Sequence, residues 1–228
     1  MRSTVLLFDI DGTLITTGGV GRYALEHAVA LHLGRQRESF TFSFAGMTDP
    51  VILRQGLEQL GEVASEAAVE GIMSSYLTVL EEEVRLAHDY RTHPGVVEVL
   101  EAVSGLSGVA VGLGTGNIEA GARVKLERVG LNGYFSFGGY GSDSADRVEL
   151  IRAGAQRGAG LLNRPLSECR VVIIGDTVRD VAAAHGIGGE CLAVTTGGGT
   201  LADLKAVHPE HLVEDLTEPS VIPWLLQA

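Results

Sequence analysis

Apolar residues along this chain gather in short continuous runs rather than in strict alternation. The runs at residues 4–8, 109–113, 134–137, 170–174 and 191–194 are each bounded by Gly, Asp or Asn. Continuous apolar character fits parallel strands covered on both faces, and helical-looking stretches separate the last four. This alternation predicts an α/β fold with a doubly wound parallel sheet. The first interval breaks the rhythm. Between Thr13 and Gly95 there is no second strand run; amphipathic patterns there predict helices over 23–33, 50–60 and 65–87, with another over 96–104. Pro50, directly after Asp49, marks a helix start, because its fixed φ and missing N–H suit a first turn. Roughly eighty residues of helix are too many for one crossover. Residues 17–91 are therefore read as an inserted α-helical cap domain, and residues 1–16 and 92–228 as the α/β catalytic core. Hinges are expected near 16–21 and 91–95.

Composition narrows the class without naming a reaction. A chain of 228 residues with 45% hydrophobic and 20% charged positions has the make-up of a soluble globular protein. Its net charge of −12 argues against nucleic acid as a partner, since that binding needs a basic face. A small phosphorylated metabolite remains compatible, because a metal and one or two placed cations suffice locally. Cys169 and Cys191 belong to no CxxC pattern and read as reduced core thiols. No run approaches a membrane span, the apolar stretch before Asp9 is too short for a signal peptide, and a cytoplasmic location is expected.

The chemistry concentrates at strand ends. Asp9-Ile10-Asp11-Gly12-Thr13 places two carboxylates at the end of a buried strand, where unpaired charge is costly. Residues at i and i+2 of an extended segment share a side, so these acids repel and call for a cation; a divalent metal fits best. A second acidic turn, Gly175-Asp176-Thr177-Val178-Arg179-Asp180, follows the fourth strand run. Ligands of open α/β sheets bind at such carboxyl ends. Each turn alone could be an Asp-Gly turn or a helix cap, but two in one sheet point to a shared metal site. Gly112-Leu113-Gly114-Thr115-Gly116-Asn117 lacks the last glycine of a dinucleotide loop and no Gly-Lys phosphate loop exists. Thr115, Gly116 and Asn117 instead offer a hydroxyl, backbone N–H groups and an amide as donors to phosphate oxygens. For a fixed cation, the two lysines are placed on a helix after the second strand (Lys125) and beyond the fifth (Lys205). Among Arg147, Arg152, Arg157 and Arg164, Arg147 is best placed, at the start of a helix after Gly141-Ser142-Asp143-Ser144.

In this order, these elements resemble the haloacid dehalogenase superfamily on its phosphatase side, along essentially the whole chain. Asp9-Ile10-Asp11-Gly12-Thr13 matches the family's DxDGT, Thr115 its strand-end Ser/Thr, and Asp176 with Asp180 its GDxxxD element. His93-Pro94-Gly95-Val96 resembles the re-entry from an inserted cap. Arg147 stands where the family more often has Lys. The layout is similar to that of phosphoglycolate phosphatases.

The resemblance implies a Mg2+-dependent phosphatase acting on a small phosphomonoester through an aspartyl-phosphate. Asp9 would be the nucleophile and Asp11 the acid and then the base. Asp9, the backbone carbonyl of Asp11 and Asp176 would bind Mg2+, with Asp180 supporting them. Thr115, Gly116, Asn117 and Arg147 would hold the phosphate. The loop Phe44-Ala45-Gly46-Met47-Thr48-Asp49, with Arg22 and Arg54 as anion contacts, would meet the substrate. A phosphomutase or pyrophosphatase is the nearest alternative. A phosphorylatable, receiver-like regulator is the alternative of another class, disfavoured by Asp11 and the large insertion.

Overall fold

The structure, a computed structural model, describes residues 3–227. Six parallel strands form its main sheet: β1 (Thr4–Phe8), β4 (Val109–Gly114), β5 (Gly138–Gly139), β6 (Arg170–Gly175), β7 (Glu190–Val194) and β8 (His211–Val213), in the order β5-β4-β1-β6-β7-β8. Strand β1 shows why continuous apolar runs belong here. Leu6 and Phe8 enter one core with α4 (Val96–Val103), α5 (Glu119–Glu127) and α9 (Val221–Leu226). Val5 and Leu7 enter the opposite core with α6 (Arg147–Leu161), α7 (Val178–Gly186) and α8 (Leu201–Ala206). Both faces are covered, so neither set of alternate side chains can be polar.

One predicted strand is corrected. Residues 134–137 were expected to pair, but residues Asn132–Tyr134 form a 3-10 turn and pairing centres on Gly138–Gly139. Phe135 and Phe137 do point into the two opposite cores, which produces the strand-like signature. Only the Phe137 carbonyl reaches the ladder, accepting from Leu113 N (3.1 Å). Burial without backbone pairing accounts for the difference. Strand β8, three residues long, carried no run that could announce it.

Between β1 and α4 lie three helices, α1 (Val20–Leu33), α2 (Asp49–Gln59) and α3 (Glu66–Leu86). Val69, Ile72, Tyr76, Leu80 and Val84 recur at helical spacing on α3 and pack on Leu25, Val29, Leu53 and Leu57. Ser65 caps α3, its hydroxyl accepting from Ala68 N (3.2 Å). The chain enters and leaves this helical unit through β2 (Ile15–Thr16) and β3 (Arg91–Thr92), an antiparallel pair with Ile15 opposite Thr92. Among the described residues no helix is long and apolar enough to cross a membrane. Both cysteines are buried thiols.

Candidate active site

Strand order brings the chemistry together. Asp9, Thr115 and Asp176 follow β1, β4 and β6, and β1 lies between the other two. The chain winds outward from β1 through β4 to β5 and then crosses back to β6. The crevice between β1 and β6 is therefore a topological switch point, where carboxyl ends of strands form a ligand site. Gly12 turns the chain there with φ +84°, and a Cβ on it would fall 2.5 Å from Asp176 Oδ2. Only glycine combines that backbone with so close an approach.

Asp9, Asp176 and Asp180 are buried, and one carboxylate oxygen from each lies within 4.8 Å of the others. Thr13 Oγ1 donates to Asp176 Oδ1 (3.0 Å) and Gly198 N to Oδ2 (2.6 Å). Asp180 closes a capping box on α7: its Oδ2 accepts from Thr177 N (2.9 Å) and Oγ1 (2.6 Å). Arg147, the first residue of α6, donates from Nη2 to Asp9 Oδ2 (2.6 Å) and from Nε to Asp180 Oδ1 (3.0 Å). Burial pushes Asp9 up to about 6, against the pull of Arg147 and with a push from Asp180. Burial, then the charges of Asp180 and Asp9, push Asp176 up to about 8. Burial alone would lower the Arg147 pKa, but Asp180 and Asp9 hold it above its usual value. Arg147 pairs with Asp9 and Asp180 but not with Asp176, so three buried carboxyl groups share one guanidinium and present hard oxygen donors. That donor set fits a divalent, oxygen-loving cation.

Asp11 is engaged elsewhere. Its carboxylate accepts from Lys125 Nζ at 2.9 and 2.7 Å and from Asn117 Nδ2 at 2.8 Å. Asn117 also donates to Thr115 Oγ1 (2.8 Å) and accepts from Lys125 Nζ (2.6 Å). Asp11 thus stands outside the three-carboxylate cluster. Lys125, which the sequence places only on the helix after the second strand, folds its side chain back into the site, 4% exposed. The signal was present. Gly121, Ala122 and Leu126 are buried on α5 beside it, so a lysine shares the apolar face of that helix.

Of the four arginines weighed, Arg147 alone reaches the site. Arg152, Arg157 and Arg164 pair with Glu149, Asp143 and Glu168. Lys205 lies on α8 and does not line the cavity. In the cap, Arg54 pairs with Glu66 on the outer surface and is no anion contact. Arg22 does line the cavity, but its guanidinium donates to Glu26, Phe40 O (3.1 Å) and Phe42 O (2.8 Å).

Residues of the helical unit and of the strand ends line one cavity of about 510 Å³, with Asp9, Asp11, Thr115, Gly116, Asn117 and Asp176 on the sheet side. The cap loop before α2 is bonded to the core. Asp49 N donates to Gly116 O (2.9 Å), Ile118 N to Asp49 Oδ2 (2.9 Å), and Arg147 Nη1 to Gly46 O (3.3 Å). A Cβ on Gly116 would lie 2.1 Å from Met47 O, so the cap loop rests directly on that backbone.

This parallel sheet, with acids at adjacent strand ends under a helical insertion, is the arrangement of one hydrolase class. Residues 4–188 match the family model of haloacid dehalogenase-like hydrolases, and the chain belongs to that family. It is 24% identical over 215 residues to a phosphoglycolate phosphatase of Agrobacterium fabrum, covering 93% of this chain and 89% of that one. It is 26% identical over 217 residues to the probable phosphatase IndB of Dickeya dadantii, covering 94% and 90%. In fold it is similar to a predicted phosphatase from Clostridium acetobutylicum, with a TM-score of 0.72, 19% identity and all of both chains covered. It is also similar to CbbY from Rhodobacter sphaeroides, solved with phosphate, with a TM-score of 0.71, 16% identity and 96% of each chain covered.

Proposed function

We propose that this protein is a Mg2+-dependent phosphatase that hydrolyses a small phosphomonoester through an aspartyl-phosphate on Asp9. The observation that carries the reading is the buried Asp9, Asp176 and Asp180 cluster on the floor of a cap-covered cavity. Asp9, Asp176 and the backbone carbonyl of Asp11 would hold the ion, with Asp180 supporting them through its fixed position on α7. When bound, the ion supplies positive charge that offsets repulsion between carboxylate and phosphate dianion.

Asp9 is held for attack by Ile10 N, which donates to Oδ1 (2.8 Å), and by Arg147 on Oδ2. Its carboxylate oxygen forms a bond to phosphorus while the bond from phosphorus to the ester oxygen breaks. Asp11, in its protonated form, delivers that proton to the departing oxygen, then regains one from the water that attacks the aspartyl-phosphate. That second displacement frees orthophosphate and restores the Asp9 carboxylate. Thr115 Oγ1, the N–H groups of the turn at Gly116 and Arg147 face the equatorial phosphate oxygens as charge redistributes. The cap keeps bulk water from the phosphoenzyme.

The test is orthophosphate release from a panel of small phosphate esters, with Mg2+ and with chelator, for the wild type and Asp9→Asn. Turnover that requires Mg2+ and falls at least about 1,000-fold in Asp9→Asn is expected. Wild-type turnover by Asp9→Asn would overturn the nucleophile assignment.

A further inference from the structure

Within the Mg2+-dependent reading, on which this inference rests, the loop after β7 has no part so far, yet its contacts run to the metal side of the site. Residues 195–199 put no side chain into any of the apolar cores, and Gly197 and Gly198 are exposed. Packing therefore does not explain the loop's three successive glycines. Asp176 does. Gly198 N donates to Asp176 Oδ2 (2.6 Å), and Gly199 N donates to the Asp176 backbone carbonyl (3.1 Å). A Cβ on Gly197 would fall 2.0 Å from Asp176 Oδ2 and 2.6 Å from Gly12 Cα. Asp176 Oδ2 thus lies against Gly12 and Gly197 at once, an approach that only residues without a Cβ allow.

Thr196 reaches the same carboxylate indirectly. Its hydroxyl donates to Gly12 O (2.6 Å), while Gly12 N donates to Ile15 O (2.9 Å), so both peptide groups of Gly12 are held. The first of these peptides carries the Asp11 carbonyl. The second carries the N–H of Thr13, whose Oγ1 donates to Asp176 Oδ1 (3.0 Å). Thr195 fixes the start of the loop beside β8, its N and Oγ1 both donating to Glu214 O (3.2 Å each). We infer that Thr196 is a positioning residue for the metal ligands. Through Gly12 it sets the Asp11 carbonyl and the donor on Asp176 Oδ1, and the glycines that follow it set Oδ2. The ligands are then aimed before the ion arrives. Groups that orient metal ligands in this way typically contribute about 10- to 100-fold in metal affinity, whereas a hydrogen bond that merely closes a loop steadies the fold and leaves that affinity alone.

The test is a binding measurement, independent of turnover. Mn2+, which takes the same hard oxygen donors as Mg2+, is titrated into the metal-free full chain. Electron paramagnetic resonance reads the free ion, beside thermal melts in chelator. Thr196→Val keeps the side-chain shape and removes the hydroxyl. It should weaken Mn2+ binding at least about tenfold while lowering Tm in chelator by no more than about 4 °C. Thr196→Ser restores the donor and should bind Mn2+ within about threefold of the wild type. Gly197→Ala drives a Cβ onto Asp176 Oδ2 and should weaken binding by about 100-fold. Full Mn2+ affinity in Thr196→Val or in Gly197→Ala, whatever the Tm, overturns the inference and leaves the phosphatase reading standing. So does a loss in Thr196→Val that Thr196→Ser shares in full. A wild-type chain that takes up no Mn2+ overturns the Mg2+-dependent reading, and this inference with it.

Discussion

Lys125→Met isolates the residue that the structure adds to the site. The substitution keeps an unbranched stem of similar length and removes the ammonium, and with it three hydrogen bonds of 2.6–2.9 Å to Asp11 and Asn117. The lysine side chain is 4% exposed and its partner Asp11 41% exposed, so water can re-solvate the abandoned carboxylate in part. The loss should therefore fall short of the 3–5 kcal/mol seen for fully buried pairs, at about 2 kcal/mol. For a chain of this size that lowers Tm by about 4–8 °C. The kinetic effect should be larger, because Asp11 must sit within hydrogen-bond reach of the ester oxygen, and freeing it by about 1 Å costs about 100-fold in rate. Thermal melts and orthophosphate release measure both. The decisive comparison is a cycle with Asp11→Asn: if Lys125 acts by holding Asp11, adding Lys125→Met to that variant should cost under about threefold in kcat. A full 100-fold loss in the Asp11→Asn background would refute positioning and place the amine directly on the substrate.

Further outcomes follow from the same geometry. Arg147→Ala removes the cation facing Asp9 and Asp180 and should lower kcat by about 100-fold or more, with Arg147→Lys recovering part of it; unchanged kinetics would return Arg147 to a purely structural role. In chelator, stability should fall as pH rises from about 6.5 to about 8: with Asp176 at about 8 folded and 3.8 as its ordinary value, the folded state holds the extra proton in this range. The change is on the order of 1–2 kcal/mol, and Mg2+ should abolish it by replacing that proton. A chelated melt that is flat or rises over this range would contradict the assignment. Gly116→Ala should break the seat of the cap loop, where a Cβ meets Met47 O at 2.1 Å, raising KM more than it lowers Tm; steady-state kinetics beside a melt decide it.

How far the chain could be read in advance depended on which physical signal each part leaves. Strands buried on both faces leave unbroken apolar runs, so β1, β4, β6 and β7 were legible to within a residue at their ends. The acids at their carboxyl ends were legible for the converse reason, that carboxylates do not follow such runs without cause. Strand β5 was displaced because Phe135 and Phe137 advertise burial, whereas pairing depends on the backbone that follows them. Arg147 was legible from its place at the start of a helix next to a strand end. Lys125 was not, because its Nζ reaches Asp11 across 114 positions of sequence, a distance that only the tertiary fold closes. The commitment of Arg22 to Glu26 and to two carbonyls was equally invisible, since an arginine on an exposed-looking helix shows nothing of what its fork will meet.

The small ribbon that joins Ile15–Thr16 to Arg91–Thr92 has a consequence for how the chain is assembled. An insertion of this length would ordinarily separate β1 from α4 by a long, slow-closing loop. Because its two ends are zipped side by side, the folded helical unit behaves toward the sheet as though it were a tight turn. Once the helical unit has folded, pairing β1 with β4 closes a shorter effective loop than the stretch of sequence between Thr4 and its partner Val109. The same adjacency makes the helical unit exchangeable: another cap grafted at that ribbon would meet the sheet without rerouting a single strand.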